Sequence, residues 1–334
     1  MNTKNLCVVL LALLFNTTAF SQTFERSIFS TDVDFNHYSI ENTDSGYVCV
    51  GTLFKGDENY IHVLKIDLDG NVLWEKKISK SDDDRGLDVV IDDQKNIILT
   101  GYVSPVVSGA KRLYISKLDP NGNLIVDKVL RHAIVPPETR KSLVGSNIIF
   151  SQSTSSYIVG GFMTNQVAMP IQDNVGVILK FDLNLNLIEK QKIGVGQFLQ
   201  SVNDMQVVPE GFFIVGGFTA DLTKQGVLAA IVDDNLSLVK NFSFTDSTGG
   251  NNLAASVLYD DLEDDIYVLS NNSSHNRPQI TIFTDISDSL DWCDTVNASS
   301  YVLNLDTSGF SFPIGLKLEK CPWDAAHLIV SGYF

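Results

Sequence analysis

The fold is decided by residues 60–101, YIHVLKIDLDGNVLWEKKISKSDDDRGLDVVIDDQKNIILTG, which hold one full turn of a unit that the chain repeats. An apolar run ends in the tight turn Asp69-Gly70, a partner run follows, and a polar bend leads into a second hairpin. Asp-Gly supplies the positive φ that tight β-turns need. The segment therefore predicts β-hairpins, and it contains no catalytic motif.

Two series of short apolar segments recur at intervals of about 50 to 60 residues, which is typical of a repeat fold. The segments are rich in β-branched and aromatic residues and are bounded by turn residues, so they predict strands; none keeps a helical period. The first series aligns at a residue after the apolar run: Gly51, Gly101, Gly161, Gly217, Asn271 and Gly332. The second aligns at an aspartate: Asp67, Asp119, Asp182, Asp233 and Asp285.

The sequence predicts an all-β protein, specifically a β-propeller of four-stranded antiparallel blades. We expect six blades, of which five are complete and one is incomplete and shared by the termini. Phe24–Phe29 would supply the fourth strand of that blade, and Phe312–Leu318 and His327–Phe334 its first two. The missing third strand predicts that the single propeller domain, residues 22–334, is truncated at its C-terminus.

Residues 1–21 have the pattern of a secretory signal peptide, with Lys4 before an apolar run and a small-residue cleavage site. We therefore expect an exported monomer, secreted or at the cell surface. The net charge of −16 argues against nucleic acid as a partner, and no other apolar run is long enough to insert into a membrane. Cys49 is interpreted as a small core residue; whether Cys293 and Cys321 pair stays open.

The repeats resemble the bacterial β-propeller repeat called SBBP, found in secreted proteins of Bacteroidetes-like organisms. The resemblance is carried by LKIDLDGNVLWEKKI (64–78), DDRGLDVVIDDQKNIILTGY (83–102) and SKLDPNGNLIVDKV (116–129). It covers nearly all of residues 22–334 and weakens in the fifth unit, where Asn271 and Asp288 replace glycines. It implies a non-enzymatic extracellular module and supplies no catalytic residue, because its motif is a folding motif.

The acidic turns are the candidate metal sites. Asp67-x-Asp69-Gly70-Asn71 resembles the start of a calcium loop, since alternating oxygens can surround a hard cation. The EF-hand pattern fails further on, and related turns recur without the acidic set, so we favour a hairpin turn. The remaining acidic clusters are interpreted as solvated bends: Asp82-Asp83-Asp84, Asp260-Asp261 and Asp264-Asp265. The prediction is no metal site and no cofactor, with weak Ca²⁺ binding at these turns as the alternative.

Catalytic patterns are weak in this sequence, which contains no nucleophile elbow. Two serine–lysine spacings, Ser108 with Lys111 and Ser237 with Lys240, are interpreted as chance matches. The histidines form no metal motif and no close pair along the chain: His37, His62, His132, His275 and His327. We therefore predict no catalytic residue.

The sequence favours a non-enzymatic module that binds a protein or a glycan through loops on a propeller face. Arg131–Ser142 departs most from the repeat and is the candidate recognition loop. Two alternatives stay open. One is a carbohydrate-active hydrolase or lyase, which would need two carboxylates facing each other across the channel. The other is a structural spacer of a larger surface protein.

Overall fold

The computed structural model describes residues 34–105, 109–131, 142–166, 172–193, 200–209, 211–221, 224–244, 252–261, 265–272, 277–283, 298–302, 314–320 and 328–333. The strands follow in chain order: β1 (Asp34–Thr43), β2 (Gly46–Lys55), β3 (Glu58–Ile66), β4 (Val72–Ile78), β5 (Asp83–Ile91), β6 (Ile97–Ser104), β7 (Arg112–Leu118), β8 (Leu124–Leu130), β9 (Ser142–Ser151), β10 (Ser156–Gln166), β11 (Gln172–Phe181), β12 (Leu187–Ile193), β13 (Gln200–Val208), β14 (Gly211–Asp221), β15 (Lys224–Val232), β16 (Leu238–Phe244), β17 (Asn252–Asp260), β18 (Asp265–Asn272), β19 (Arg277–Phe283), β20 (Ala298–Val302), β21 (Ile314–Lys320) and β22 (Leu328–Tyr333).

The described strands form antiparallel sheets that follow one another along the chain. Strands β9–β12, β13–β16 and β17–β20 each form a four-stranded sheet, β21 pairs with β22, and β1–β8 form one larger sheet. The first strands of successive units lie side by side, from β1 beside β5 to β17 beside β21. The predicted all-β class is confirmed, and the arrangement is propeller-like. Within the described residues, no helix has the length and apolarity needed to cross a membrane.

Apolar clusters between successive sheets form the core. Ile98 and Leu113 of one sheet pack with Tyr157 and Val177 of the next, and two further clusters join the following pairs of sheets in the same way. A fourth cluster joins the first two units within the β1–β8 sheet. Every residue of β6 is buried, because this strand is covered on both faces. The fourth strands are largely exposed, so β4 and β8 form the outer surface.

The acidic segment Asp82-Asp83-Asp84 joins the first two units, and its interpretation as a solvated bend is wrong. Asp83 is 1% exposed and Asp84 is 0% exposed. Asn59 donates its side-chain amide to Asp83 at 2.6 Å, and the two residues form a single parallel pair between β3 and β5. This pair merges the predicted first two sheets into one. Asp260, at 4% exposed, is likewise buried rather than solvated.

A β-bulge recurs in the first strand of each unit and determines where glycine is needed. Gly101 lies opposite Gly86, next to the bulge, and a Cβ there would lie 1.9 Å from the Arg85 carbonyl oxygen. In the fourth unit the equivalent residue is Gly216, whose Cβ would lie 1.7 Å from the Ser201 oxygen.

The sequence alignment is therefore wrong by one residue in the fourth and fifth units. Gly216 and Ser270 occupy the position next to the bulge, in place of the predicted Gly217 and Asn271. The bulge in the first strand fixes the register of the second strand. The apolar pattern of the second strand alone therefore does not show which of its residues lies next to the bulge.

Several predictions of the sequence fall on residues that the structure does not describe. They are the signal peptide 1–21, Phe24–Phe29, Ser108, most of Arg131–Ser142, His132, Asp264, His275, Asp285, Asp288, Cys293, Cys321, His327 and Phe334.

Candidate functional site

The aspartate turns are closed by their own hydrogen bonds, which confirms the hairpin-turn interpretation. Asp67 Oδ1 accepts the backbone N–H groups of Asp69 at 2.9 Å and Asn71 at 2.7 Å, and the Asn71 amide donates to Asp67 Oδ2 at 3.0 Å. The fourth residue of each of these five turns has a positive φ: Gly70, Lys95, Gly122, Leu185 and Leu236. Only two of the five are glycines. Equivalent bonds form at four further aspartates: Asp92, Asp119, Asp182 and Asp233.

A lysine two residues before the turn aspartate connects each of three units to the next. Lys65 Nζ donates to the carbonyl oxygen of Pro120 at 3.2 Å, and Lys180 Nζ donates to that of Asp234 at 2.6 Å. Lys117 Nζ reaches the Leu183 oxygen at 3.5 Å. Each acceptor directly follows the turn aspartate of the next unit. The sequence signal is the repeated Lys-x-Asp, which our sequence analysis did not use.

Lys117 also belongs to a buried polar cluster. Its Nζ lies 3.0 Å from Asp92 Oδ2 and donates to Tyr157 Oη at 2.9 Å, and that hydroxyl donates to Asp92 at 2.8 Å. Burial acts to raise the pKa of Asp92, but hydrogen bonds from Asn96, Tyr157 and Lys117 outweigh it and lower the pKa. The cluster is thus a buried ion pair within the interface between units.

Two histidines that are distant in sequence form a pair, so the statement that the chain has no close pair does not hold in space. His37 Nε2 lies 3.1 Å from His62 Nδ1, and the rings are stacked with centroids 5.1 Å apart. Burial, and then His62, lowers the pKa of His37 to about 4. Glu75 lies 3.6 Å from His62, which is 3% exposed. Burial also lowers the pKa of His62, although Glu75 acts to raise it, so both rings are neutral at pH 7.

The other sequence candidates lie in structural positions. Ser237 donates its backbone N–H to Asp233 in a turn, and Lys240 follows in β16. Cys49 lies in β2 as a free thiol, whose pKa burial raises to about 11. This value makes it unreactive at neutral pH. Among the described residues, no group of three or more His, Cys, Asp and Glu side chains is placed to hold a metal ion.

A cavity of about 100 Å³, here called the channel cavity, lies where the first strands of five units meet. Each strand contributes its bulge residue and the residue after it. The lining residues are Tyr38 and Ser39, Leu87 and Asp88, Ser146 and Asn147, Asn203 and Asp204, and Ala255 and Ser256. The repeated bulge therefore directs one polar side chain from each unit into the same space.

Two carboxylates of this cavity share one amide. Asn147 Nδ2 donates to Asp88 Oδ2 at 2.8 Å and to Asp204 Oδ1 at 3.0 Å. Asp88 also accepts the Ile148 N–H at 2.7 Å, and Asp204 accepts the Val257 N–H at 2.9 Å. Each carboxylate is thus held by the first strand of the next unit, and both are fixed toward the cavity.

Further hydrogen bonds also join the first strands of neighbouring units. Ser256 Oγ donates to Asp204 Oδ2 at 2.7 Å. Ser146 Oγ donates to the Val202 carbonyl at 2.9 Å, and Asn203 Nδ2 to the Ala254 carbonyl at 2.7 Å. These residues lie on the first strands, whereas the sequence repeat is recognised from the second and third strands of each unit. The available signal was a polar residue two positions after the start of each bulge, as in Gly86-Leu87-Asp88.

No protein-family model matches this sequence, and a search of curated proteins finds no significant relative. Solved structures do resemble it. Cobalt-substituted apocarotenoid oxygenase (ACO) from Synechocystis matches over 86% of this chain and 61% of its own, with 12% identity and a TM-score of 0.45. A chimera of ACO and RPE65 matches over 81% of this chain and 60% of its own, with 11% identity and a TM-score of 0.43. This chain spans about three fifths of the length of each.

These similarities correct three expectations. The predictions of a non-enzymatic binding module, of no enzymatic activity and of no cofactor are contradicted, because the similar structures are oxygenases and one is cobalt-substituted. No residue role is transferred at these TM-scores. The channel cavity offers carboxylate, amide and hydroxyl oxygens, and the described residues have no His, Cys, Asp and Glu group that fits a transition-metal centre.

Proposed function

We propose that the protein is an exported β-propeller enzyme that acts on a sugar-like, hydroxylated substrate at the channel cavity. In this proposal β1–β20 form five four-stranded blades, and β21 and β22 belong to a sixth. The signal-like segment 1–21 supports export, and the resemblance of the repeats to the SBBP repeat supports the propeller. The chain would act as a monomer outside the cell, with a glycan as its substrate.

One observation carries the proposal: Asp88 and Asp204 approach the same cavity from different units and are joined through Asn147. A carbohydrate-active enzyme on this fold needs two carboxylates facing each other across the channel. Sequence spacing alone did not identify such a pair. The bulges bring it together from residues far apart in the chain.

The hydrogen bonds favour one class of reaction. Both carboxylates accept backbone N–H groups, from Ile148 and Val257, and such bonds stabilise the ionised form. An ionised carboxylate accepts a proton, whereas hydrolysis with a carboxyl pair also needs a protonated acid. The geometry therefore favours a lyase, in which Asp88 or Asp204 removes a carbon-bound proton beside a carbonyl group. The electron pair forms a C=C bond as the glycosidic C–O bond breaks, and the leaving oxygen takes up a proton.

The test is to incubate the mature protein with neutral and uronate polysaccharides and to follow ultraviolet absorbance of the new double bond. We expect turnover on at least one uronate polymer, and a loss of tenfold or more in Asp88→Asn and Asp204→Asn. Asp182→Asn, which changes an exposed turn, is the matched control and should keep full activity. No turnover on any polymer, or equal turnover in all variants, would overturn the proposal.

A further inference from the structure

Two basic side chains share one aromatic ring beside the channel cavity. Arg85 Cζ lies 5.8 Å and Lys111 Nζ lies 4.2 Å from the centroid of the Tyr102 ring. The ring of Phe54, from the preceding unit, has its centroid 5.9 Å from the same Arg85 atom. An aromatic face attracts a cation, but it carries no net negative charge that could offset the repulsion between two of them. We call Arg85, Lys111, Tyr102 and Phe54 the basic cluster.

The positive charge of the basic cluster is only partly balanced. Asp83 Oδ1 accepts a hydrogen bond from Arg85 Nε at 3.1 Å and is also bonded by the Asn59 amide. Within the part of the chain that the structure describes, Lys111 Nζ makes neither an ion pair nor a hydrogen bond, and the two terminal nitrogens of Arg85 make no hydrogen bond. Burial, and then the charge of Arg85, lowers the pKa of Lys111, and Asp83 acts against this more weakly. The cluster is therefore a site of net positive charge in a protein whose net charge is −16.

Tyr38 connects the basic cluster to the channel cavity, which it lines, and it is 47% exposed. Burial acts to lower the pKa of Arg85, but neighbouring groups, with Tyr102 first and Tyr38 last, outweigh it and raise the pKa. Tyr38 is therefore close to the guanidinium group. Arg85 also lies three residues before Asp88 on β5, a distance of about 10 Å along a strand. The cluster and the cavity are thus placed to contact two different parts of one elongated ligand.

We propose that the basic cluster is an anion site that binds a carboxylate group of an acidic glycan, with Arg85 and Lys111 as its ligands. Arg85 presents its two terminal nitrogens in a planar fork, which matches the two oxygens of a carboxylate, and Lys111 adds a point charge. Both side chains are half-buried, so an anion can reach them and water screens the attraction less than at an open surface. The rings of Tyr102 and Phe54 hold the cations in position.

The choice of a glycan carboxylate rests on the proposed function, whereas the anion site itself does not. A carboxylate bound by the basic cluster would lie about 10 Å from Asp88, beyond the sugar ring that reacts. It would therefore belong to a neighbouring sugar of the same chain. The enzyme would accordingly require an acidic polymer or oligomer, and a single acidic sugar would not occupy both places.

Calorimetric titration with oligogalacturonate and oligomannuronate tests the anion site. The matched probes are the same oligomers with their carboxyl groups reduced to alcohols. We expect at least one acidic oligomer to bind about tenfold or more tightly than its reduced form, and the difference to shrink as NaCl is added. Lys111→Gln should weaken binding of that oligomer about tenfold or more, and Lys111→Arg should keep most of it. Lys192→Gln removes the same charge from the exposed strand β12 and should bind like the wild type.

Lys111→Gln should keep its fold, because the hydrogen bonds of this residue with Ser142 and Leu143 use only its backbone. Circular dichroism checks this. No binding of either acidic oligomer, equal binding of acidic and reduced forms, or equal binding by Lys111→Gln and Lys192→Gln would overturn the anion site. Cleavage that persists unchanged in Lys111→Gln would refute the anion site and leave the lyase standing. Acidic oligomers that bind through Lys111 without being cleaved would refute the lyase and leave the anion site standing.

Discussion

The aspartate turns and the channel cavity are both acidic, yet they satisfy their carboxylates in opposite ways. Asp182 in a turn is bonded by Asn184 and Asn186, all within five residues of chain. Asp204 in the channel is bonded by Ser256 and Val257, more than fifty residues further on. A turn carboxylate therefore shapes its own loop, whereas a channel carboxylate joins two sheets and faces a cavity.

The difference explains why acidic composition is a poor guide to a binding site. The turns have the stronger metal-like pattern in sequence, but their oxygens are committed to their own backbone. The channel has no recognisable motif, because its residues are contributed two at a time by five separated strands. A short sequence motif reveals only hydrogen bonds between residues that are close together in the chain. A site assembled from repeats is found only once the register of each unit is known.

Replacing Gly101 with alanine should give the largest loss of stability, because it disturbs a bulge that forms the channel cavity. The new Cβ would lie 1.9 Å from the Arg85 carbonyl oxygen, so the bulge that directs Asp88 into the cavity has to move. We expect a loss of about 3 kcal/mol or more in the free energy of unfolding, measured with urea.

Gly56→Ala is the control for this substitution. No atom lies within 4 Å of its added Cβ, and only its positive φ of 62° is unfavourable. This variant should lose about 1 kcal/mol. Equal losses in the two variants would show that the close approach at the bulge does not matter.

A direct test of the comparison sets Asp204→Asn against Asp182→Asn. In the channel, the asparagine would place an amide against donors from Asn147, Ser256 or Val257, and each lost charged bond is worth about 1.5–3 kcal/mol. We expect Asp204→Asn to lose about 2 kcal/mol in urea unfolding. The exposed turn variant should lose less, because its side-chain oxygen can still accept the backbone N–H groups of Asn184 and Asn186. A larger loss in the turn would reverse our assignment of which carboxylates hold sheets together.

The sequence was sufficient to predict the all-β class, the repeat and the turns, because these depend on bonds between residues close in the chain. The aspartates aligned in the second series, such as Asp119 and Asp182, each begin a turn in the structure. The channel cavity was not predicted, since Asp88 and Asp204 acquire meaning only through Asn147 on a third strand. The burial of Asp83 was misread for the same reason, because its partner Asn59 lies on a different strand. Asp84 is bonded locally, by Ser81, but the fully buried position of its side chain depends on packing that no local pattern shows.

The smallest expected effect is a change in the pKa of Asp182, the aspartate of one turn. Burial acts to raise the pKa of Asp182, but bonds from Asn186 outweigh it and hold the pKa below its ordinary value. A lowered pKa gives stability that is present above the unfolded pKa, about 4, and is lost as the pH falls through the folded value. Asn186→Ala should raise the pKa of Asp182 and reduce this acid dependence, as measured by carboxyl-carbon NMR titration.

Asn123→Ala, in a different turn, is the control for the titration. It should shift the pKa of Asp119, whose largest cause of lowering is Asn123, and leave that of Asp182 unchanged. If both carboxylates respond to either substitution, the turns are coupled through the sheets and are not the local units described above.

The lysine contacts between units have a consequence for how such a chain can change. Lys65, Lys117 and Lys180 all bond to a main-chain oxygen, and the residues that carry those oxygens are Pro120, Leu183 and Asp234. Three unrelated side chains serve equally well, because every residue has a carbonyl group. The junction is therefore indifferent to substitution on the receiving side, so neighbouring units can diverge, or be exchanged and duplicated, while the joint that connects them persists.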